Sequence, residues 1–327
     1  MQVTVDGELL FSERLDRKRC TSHNTEQYGR SEYGRILMKD MAGQIAVITG
    51  AGGGLGRAHA LALAKRGVKI VVNDLGNAQG VVDEITAAGG EAVADSTDIS
   101  DRAAAAAMVE AAVERWGCID ILVNNAGILR DKSFAKMDLD DFDKVIAVHL
   151  TGSVNCTKAA WPYMVEQGYG RILMTTSASG IYGNFGQSNY GAAKSGLVGL
   201  MNVLAIEGAK KGIKVNSLAP TAFTQMTDGL ITEEAAAVLG PETVAPAAEF
   251  LVSPDAPTGV ILGAGGGVFA VSEMREAAPV SLGQDATAEG IEGRWAEISD
   301  LSDSHHLAAA FEQTRLYVET AAAGEDA

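Results

Sequence analysis

Cysteine is scarce in this chain: Cys20, Cys118 and Cys156 are its three among 327 residues. An odd number at unpatterned spacing indicates neither a disulfide framework nor a zinc site, and no other metal is expected. Apolar runs are short, and none approaches the ~20 residues of a membrane-spanning helix. Positive charge is also sparse. With 26 basic against 42 acidic residues the formal net charge is −16, which repels a phosphate backbone and excludes nucleic acid as an expected partner. The amino terminus shows no signal-peptide core, because LLF is followed at once by the polar stretch ERLDRKRCTSHNTEQYGR. The carboxyl terminus, AAAGEDA, matches no receptor-read address. These absences together predict a cytoplasmic protein with small-molecule partners, away from membranes.

What is present is an alternation of two periods. From Gln44 onward, short β-branched runs (QIAVITG, VKIVVND, IDILVNN, GRILMTT, IKVNSLAP) alternate with alanine-rich helical stretches. The helices are expected near Leu55–Arg66, Gln79–Ala88, Asp101–Trp116, Leu139–Gln167 and Asn189–Lys211. Strands separated by helices require right-handed crossovers and a parallel sheet covered on both faces, so the fold class is α/β, a doubly wound Rossmann sheet. A helix near Pro241–Val252 and a last strand in Gly259–Gly267 close it. Residues 1–41 lack periodicity and are read as a disordered extension. Residues 42–270 form the Rossmann domain. Residues 271–327 form a small helical appendage, with helices near Ala288–Ile298 and Leu307–Ala322. No internal repeat is found.

TGAGGGLGRA, Thr49–Ala58, follows an apolar strand and opens a helix, the context in which a glycine pattern signals a dinucleotide site. Gly50 makes the turn. Gly54 and Gly56 let the backbone approach a pyrophosphate at the positive helix terminus. Asp74 stands 24 residues after Gly50, at the end of the second strand, where a carboxylate binds the adenosine ribose and repels a 2′-phosphate. No cation stands at Gly53 or Leu75, so NAD is expected over NADP. Asp98 is a candidate for the adenine edge, with a turn or capping role as its alternative.

YGAAK places Tyr190 and Lys194 one turn apart on one helix face. An ammonium near a phenol draws the phenol pKa down from about 10, toward the range where it exchanges a proton with a substrate hydroxyl. Ser177, thirteen residues before Tyr190 at the end of a strand, offers a hydroxyl to the reacting oxygen.

TGxxxGxG, NNAG at Asn124–Gly127, Ser177 and YxxxK, in this order on these elements, resemble the short-chain dehydrogenase/reductase superfamily over about Gln44–Val268. The resemblance implies Tyr190 as acid/base and Ser177 as the residue that orients substrate. It implies Lys194 as the residue that holds the nicotinamide ribose and lowers the tyrosine pKa. It also implies that Leu55, Asn125, Ala126, Gly127, Tyr190, Pro220 and Thr224 lie against the cofactor. Where the family usually has an asparagine in the central helix, this chain has His149, read either as a proton-relay member or as a core histidine.

Longer strings, among them NNAGILRDKSFAKM, VHLTGSVNCTKAAWPYM and YGRILMTTSASGIYGNFGQSNYGAAK, look very like the (3R)-hydroxyacyl-CoA dehydrogenase domains of the type 2 multifunctional enzymes. TAEGIEGRWAEISD around Trp295 resembles their carboxyl-terminal region. The implied reaction is oxidation of a (3R)-3-hydroxyacyl-CoA by NAD. A 17β-hydroxysteroid dehydrogenase is the alternative substrate reading, and an NAD-binding regulator or scaffold the non-enzymatic one. The family also implies a homo-oligomer, dimer or tetramer, packed through the long helices. Arg130, Lys132 and Lys136 are the first candidates to hold coenzyme A phosphates, with Lys210, Lys211 and Lys214 behind them.

Overall fold

The structure, a computed structural model, describes residues 38–224 and 232–325. The expected amino-terminal extension therefore lies, through residue 37, outside the described residues. Met41 already belongs to the core, with 2% of its surface exposed. The elements follow the predicted alternation: β1 (Ile45–Thr49), α1 (Gly54–Lys65), β2 (Lys69–Asn73), α2 (Ala78–Ala87), β3 (Ala92–Asp95), α3 (Arg102–Trp116) and β4 (Ile121–Asn124). Next come α4 (Leu139–Ile146), α5 (Gly152–Gln167), β5 (Gly170–Thr175), α6 (Ala178–Tyr182), α7 (Ser188–Gly208) and β6 (Ile213–Pro220). The series closes with α8 (Glu233–Val238), α9 (Ala245–Leu251), β7 (Ile261–Gly265) and β8 (Val268–Ser272).

The sheet has eight strands in the order β3-β2-β1-β4-β5-β6-β7-β8, and all neighbours from β3 to β7 pair in parallel. Side chains alternate along β1: Ala46 and Ile48 join the core under α1, α2 and α9, while Val47 joins the core under α3, α5 and α7. Both faces are therefore covered, which is why the inner strands read as unbroken apolar runs. β8 was not predicted. It follows β7 across Gly266 and Gly267, whose φ values of 58° and 75° are what a two-residue type I′ hairpin turn demands at both central positions.

The expected single helix 139–167 is present but carries one irregular turn. Between α4 and α5, Ala147–Thr151 is π-helical, with the Gly152 amide donating to the Ala147 carbonyl five residues back.

The chain divides into two compact units between Ala270 and Val271. The second unit holds α10 (Ala288–Gly293), α11 (Trp295–Ile298) and α12 (Ala310–Glu325). The helix expected over 288–298 breaks at Arg294, which leaves helical geometry at φ −111°, ψ 16° and donates to the Ser281 carbonyl at 2.8 Å. An antiparallel bridge joins Glu276 to His305 in the same unit.

Candidate active site

The strand order reverses between β1 and β4, and in doubly wound sheets the crevice beyond the carboxyl ends at that point receives the ligand. The two loops that leave these strands are tied to each other. Thr49 Oγ1 accepts from the backbone amides of Asn125 and Ala126 at 3.0 and 3.1 Å, and Asn125 Nδ2 donates to the carbonyls of Thr49 and Gly50, each at 3.0 Å. The first asparagine of NNAG works inward instead: Asn124 Nδ2 donates to Thr157 Oγ1 at 3.0 Å.

Backbones approach so closely here that side chains would not fit. A Cβ on Gly50 would lie 2.7 Å from Ala126 Cα, and one on Gly56 would lie 2.1 Å from the Gly50 carbonyl oxygen. Gly54 opens α1 at φ 50°, in the left-handed region that favours glycine. Its N-cap, Gly53, supplies no side-chain acceptor, so the first-turn amides of α1 are left for an anion. Leu55 is half-buried beside them, and Thr224 lies 3.3 Å from where a Gly54 Cβ would stand. Pro220 ends β6 opposite Ala264. A cradle of this kind suits a dinucleotide pyrophosphate.

Asp74 follows β2 and reaches back to the glycine loop. Its Oδ2 accepts from the Gly52 amide at 2.9 Å and its Oδ1 from the Gly76 amide at 2.8 Å. A carboxylate has about four acceptor positions, so capacity for ribose hydroxyls is left. Gly52 was not singled out by the sequence pattern, yet a Cβ there would fall 2.6 Å from the Asp74 carboxyl carbon. Asp98 is engaged in its own turn, where Oδ1 accepts from the Ser100 amide at 2.9 Å and from its hydroxyl at 2.7 Å. The same Ser100 bonds hold the Asp98 carboxyl below its ordinary pKa.

The catalytic candidates meet where β5 ends and α7 begins. Ser177 caps α6 by accepting from the Ser179 amide, and its side chain is hydrogen-bonded to Tyr190. Lys194 is 3% exposed, and its Nζ donates to the Thr175 carbonyl. Thr176, which no motif marks, donates its hydroxyl to the Lys194 carbonyl at 2.7 Å and locks α7 to the strand end.

The electrostatics differ from the expectation. Burial raises the Tyr190 pKa, and the Ser177 hydrogen bond only partly opposes it. Burial also brings the Lys194 pKa down to about 7. A lysine that is half neutral at pH 7 gives a phenol 5.5 Å away, measured to the ring centroid, little help in ionising. Desolvation outweighs charge proximity here.

His149 sits in the π-helical turn, edge-on to the Tyr190 ring at 5.2 Å and 87°. Its Nε2 lies 2.9 Å from the Ile128 amide nitrogen and 2.8 Å from the Ile128 carbonyl oxygen, accepting from the first in one tautomer and donating to the second in the other. Gly127 makes room for the ring, since a Cβ there would lie 2.1 Å from His149 Cε1. Burial, with the Lys194 charge adding to it, lowers the histidine pKa to about 3. The imidazole is therefore neutral near pH 7.

Of the phosphate candidates, Arg130 and Lys132 both pair with Asp141, at 3.5 and 3.3 Å, and Lys136 lies in the short 3₁₀ turn Phe134–Lys136. The second group is misplaced for the task. Lys210 and Lys211 precede β6 and Lys214 lies at its amino end, so all three stand at the sheet edge opposite the crevice. Lys214 Nζ is engaged by the carbonyls of Pro254 and Ala256 at 3.2 and 2.6 Å.

A profile of the short chain dehydrogenase family matches residues 44–235, and the chain belongs to that family. It is a dehydrogenase by that membership. It is 45% identical over 293 residues to the peroxisomal multifunctional enzyme type 2 of Drosophila melanogaster, an alignment covering 85% of this chain and 48% of that enzyme. The chain thus spans about half the length of that relative. The solved structure of the full-length Drosophila enzyme superimposes with a TM-score of 0.76 at 41% identity, over 86% of this chain and 50% of that one. A short-chain type dehydrogenase/reductase of Mycobacterium tuberculosis is 43% identical, covering 81% of this chain and 97% of its own. A 7α-hydroxysteroid dehydrogenase, solved with NADH and 7-oxo glycochenodeoxycholic acid, matches with a TM-score of 0.65 at 34% identity, over 69% of this chain and 94% of that one. Among the described residues, no helix is long and apolar enough to cross a membrane.

Proposed function

We infer that the chain oxidises a (3R)-3-hydroxyacyl-CoA to the 3-ketoacyl-CoA with NAD, in fatty-acid or sterol side-chain degradation. The observation that carries this reading is the hydrogen-bonded Ser177–Tyr190 pair beside buried Lys194, in a chain 45% identical to a peroxisomal multifunctional enzyme type 2. Ser177 and Tyr190 both address the substrate oxygen. Tyr190 receives the hydroxyl proton as the carbon–oxygen double bond forms. Bound nicotinamide supplies the acceptor for the hydride leaving the same carbon. Lys194 holds the ribose, and His149 keeps the Ile128 backbone and the Tyr190 ring in register. The cofactor is held by Gly50, Gly54, Leu55 and Gly56 at the pyrophosphate, with Asp74 at the ribose and Asp98 near the adenine. Asn125, Ala126, Gly127, Pro220 and Thr224 complete its cradle. The test is a panel of (3R)- and (3S)-hydroxyacyl-CoAs of several lengths, assayed with NAD and with NADP. Turnover of the (3R) series with NAD is expected, and (3S) preference overturns the assignment. The likeness to a hydroxysteroid dehydrogenase favours a steroid alcohol as the second reading, and direct competition between the two substrates separates them.

Asp74→Ala should weaken NAD and narrow the preference over NADP, because it deletes both a hydroxyl acceptor and a charge that repels a 2′-phosphate. An unchanged ratio of the two dissociation constants would leave Asp74 only its bonds to Gly52 and Gly76. A homodimer or tetramer is also proposed. Val154 on α5 and Val203 and Ile206 on α7 are 39%, 53% and 56% exposed, apolar positions that a second copy would cover. Light scattering at micromolar concentration should give at least twice the chain mass. Cytosolic residence is also proposed, and fractionation checks it.

A further inference from the structure

Two loops flank the catalytic pair, and they are joined to each other. One follows β4 and carries Arg130 to Lys136; the other links α6 to α7, between Ser177 and Tyr190. Lys132 and Gln187 form a parallel bridge, with the Lys132 amide donating to the Gly186 carbonyl at 2.9 Å. Gln187 also donates to Asp131 Oδ2 at 2.7 Å, and Asn189 donates to the Arg130 carbonyl at 3.0 Å. The pair is thus a fixed rim beside the reacting hydroxyls.

What this rim presents is apolar. Phe134 is 75% exposed, Tyr182 74% and Phe185 90%, in a chain where aromatic residues make up 6% of the sequence. Phe185 lies between Gly183 and Gly186, both at left-handed φ (79° and 84°), and the segment is pinned by the Gly183 amide to the Ser179 carbonyl and by Asn184 Nδ2 to Gln187 Oε1. The ring is therefore held outward by its backbone. The charge of the same rim is poorly suited to phosphate, because Arg130 and Lys132 share Asp141 and Asp131, Asp138 and Asp140 stand near them in sequence. Exposed aromatics carried on joined loops beside a site mark a surface that something apolar covers.

We propose that Phe134, Tyr182 and Phe185 form a platform for the extended apolar body of the substrate, whose reacting oxygen sits on Ser177 and Tyr190. This rests on the reading of the site as a secondary-alcohol dehydrogenase and assigns its selectivity to chain length. An acyl chain and a steroid nucleus share the chemistry the platform recognises.

The test measures binding as well as turnover. Calorimetry with unreactive butanoyl and decanoyl thioesters of N-acetylcysteamine, which carry no phosphate, compares wild type with Phe134→Ser/Phe185→Ser. The variant should bind the decanoyl ligand roughly tenfold or more weaker and the butanoyl ligand unchanged, since burying even two methylenes accounts for about that factor. Phe134→Leu/Phe185→Leu, which keeps apolar area, should restore the length dependence. A neutral steroid run beside the thioesters shows which apolar body gains more from the rings. An equal loss at both lengths, or none, overturns the platform. So does a drop in oligomeric mass, which would assign the rings to a contact between copies, or loss of wild-type binding to phosphatidylcholine vesicles, which would assign them to a lipid surface. Failure of wild type to oxidise any hydroxyacyl thioester counts against the proposed function, and the calorimetric comparison still decides the platform.

Discussion

Tyr190→Phe is expected to lower kcat for the preferred secondary alcohol by a factor of roughly 10² to 10⁴, the usual contribution of a positioned proton-transfer group. The dissociation constant for NADH should hardly move. The substitution removes one oxygen and keeps the ring, so the edge-on contact with His149 at 5.2 Å survives and α7 stays seated. Ser177 loses a hydrogen-bond partner but keeps its bond to the Ser179 amide, so the α6 cap also remains. The change therefore isolates the proton. Stopped-flow reduction of the nicotinamide and a fluorescence titration of NADH give the two numbers separately. Turnover within a few-fold of wild type would remove Tyr190 from the chemistry, and a parallel loss of NADH affinity would make its role structural.

The pH profile adds a second check on the same residue. Burial raises the Tyr190 pKa, which means that the phenolate is scarce at neutral pH unless a cation is held against it. Oxidation of the alcohol should accordingly quicken with rising pH in wild type, and the residual rate of Tyr190→Phe should lose that rise. Here burial reverses the balance that the helical spacing predicts. YGAAK shows that a lysine and a phenol are neighbours, but helical spacing carries no information on how much water either one keeps. Lys194 at 3% exposure loses its hydration to the packing of α7 on β5, which only the assembled sheet determines.

The same division between local and assembled properties runs through the rest of the molecule. The inner parallel strands and their helices are legible because β1, β2, β4, β5 and β6 bury both faces and each long helix buries one, so hydropathy alternates between two periods. The π-helical turn at Ala147–Thr151 was not legible, because one extra residue in a 29-residue helical stretch barely alters its apolar period. That turn sets the position of His149, whose ring occupies the space Gly127 leaves open. Gly127 could be found from the NNAG motif, but its reason for being glycine could not, since the neighbour lies 22 positions away in sequence. β8 does carry a sequence signal. Gly266-Gly267 between ILGAG and VFAVS is a two-residue hairpin signal that the run of glycines obscured. The tie between Gly52 and Asp74 is of the assembled kind again, formed by β1 and β2 lying side by side.

Replacement of Lys194 by methionine should abolish efficient turnover and weaken NAD, yet make the protein more stable near neutral pH. In the unfolded chain this ammonium keeps its proton up to about pH 10.5, while in the folded protein it does so only up to about pH 7. Between those values the unfolded state binds more protons, so stability rises with pH across the window and is lowest, on account of this residue, below pH 7. The cost below pH 7 is of the order of a few kcal/mol, set against one hydrogen bond from Nζ to the Thr175 carbonyl. Methionine keeps most of the side-chain volume and has no charge to desolvate. The variant should therefore melt several degrees higher at pH 7, since about 1 kcal/mol moves the midpoint of a domain this size by roughly 2–4 °C. The gain should fade as the pH approaches 10, where wild type has shed the same proton. Thermal melts from pH 6 to pH 10, with NADH titrations alongside, measure both effects. A variant less stable than wild type at pH 7 would show that Lys194 keeps its charge in the folded protein, compensated by its surroundings. Higher stability without loss of NAD affinity would remove the ribose from its duties and leave it only the proton chemistry at Tyr190.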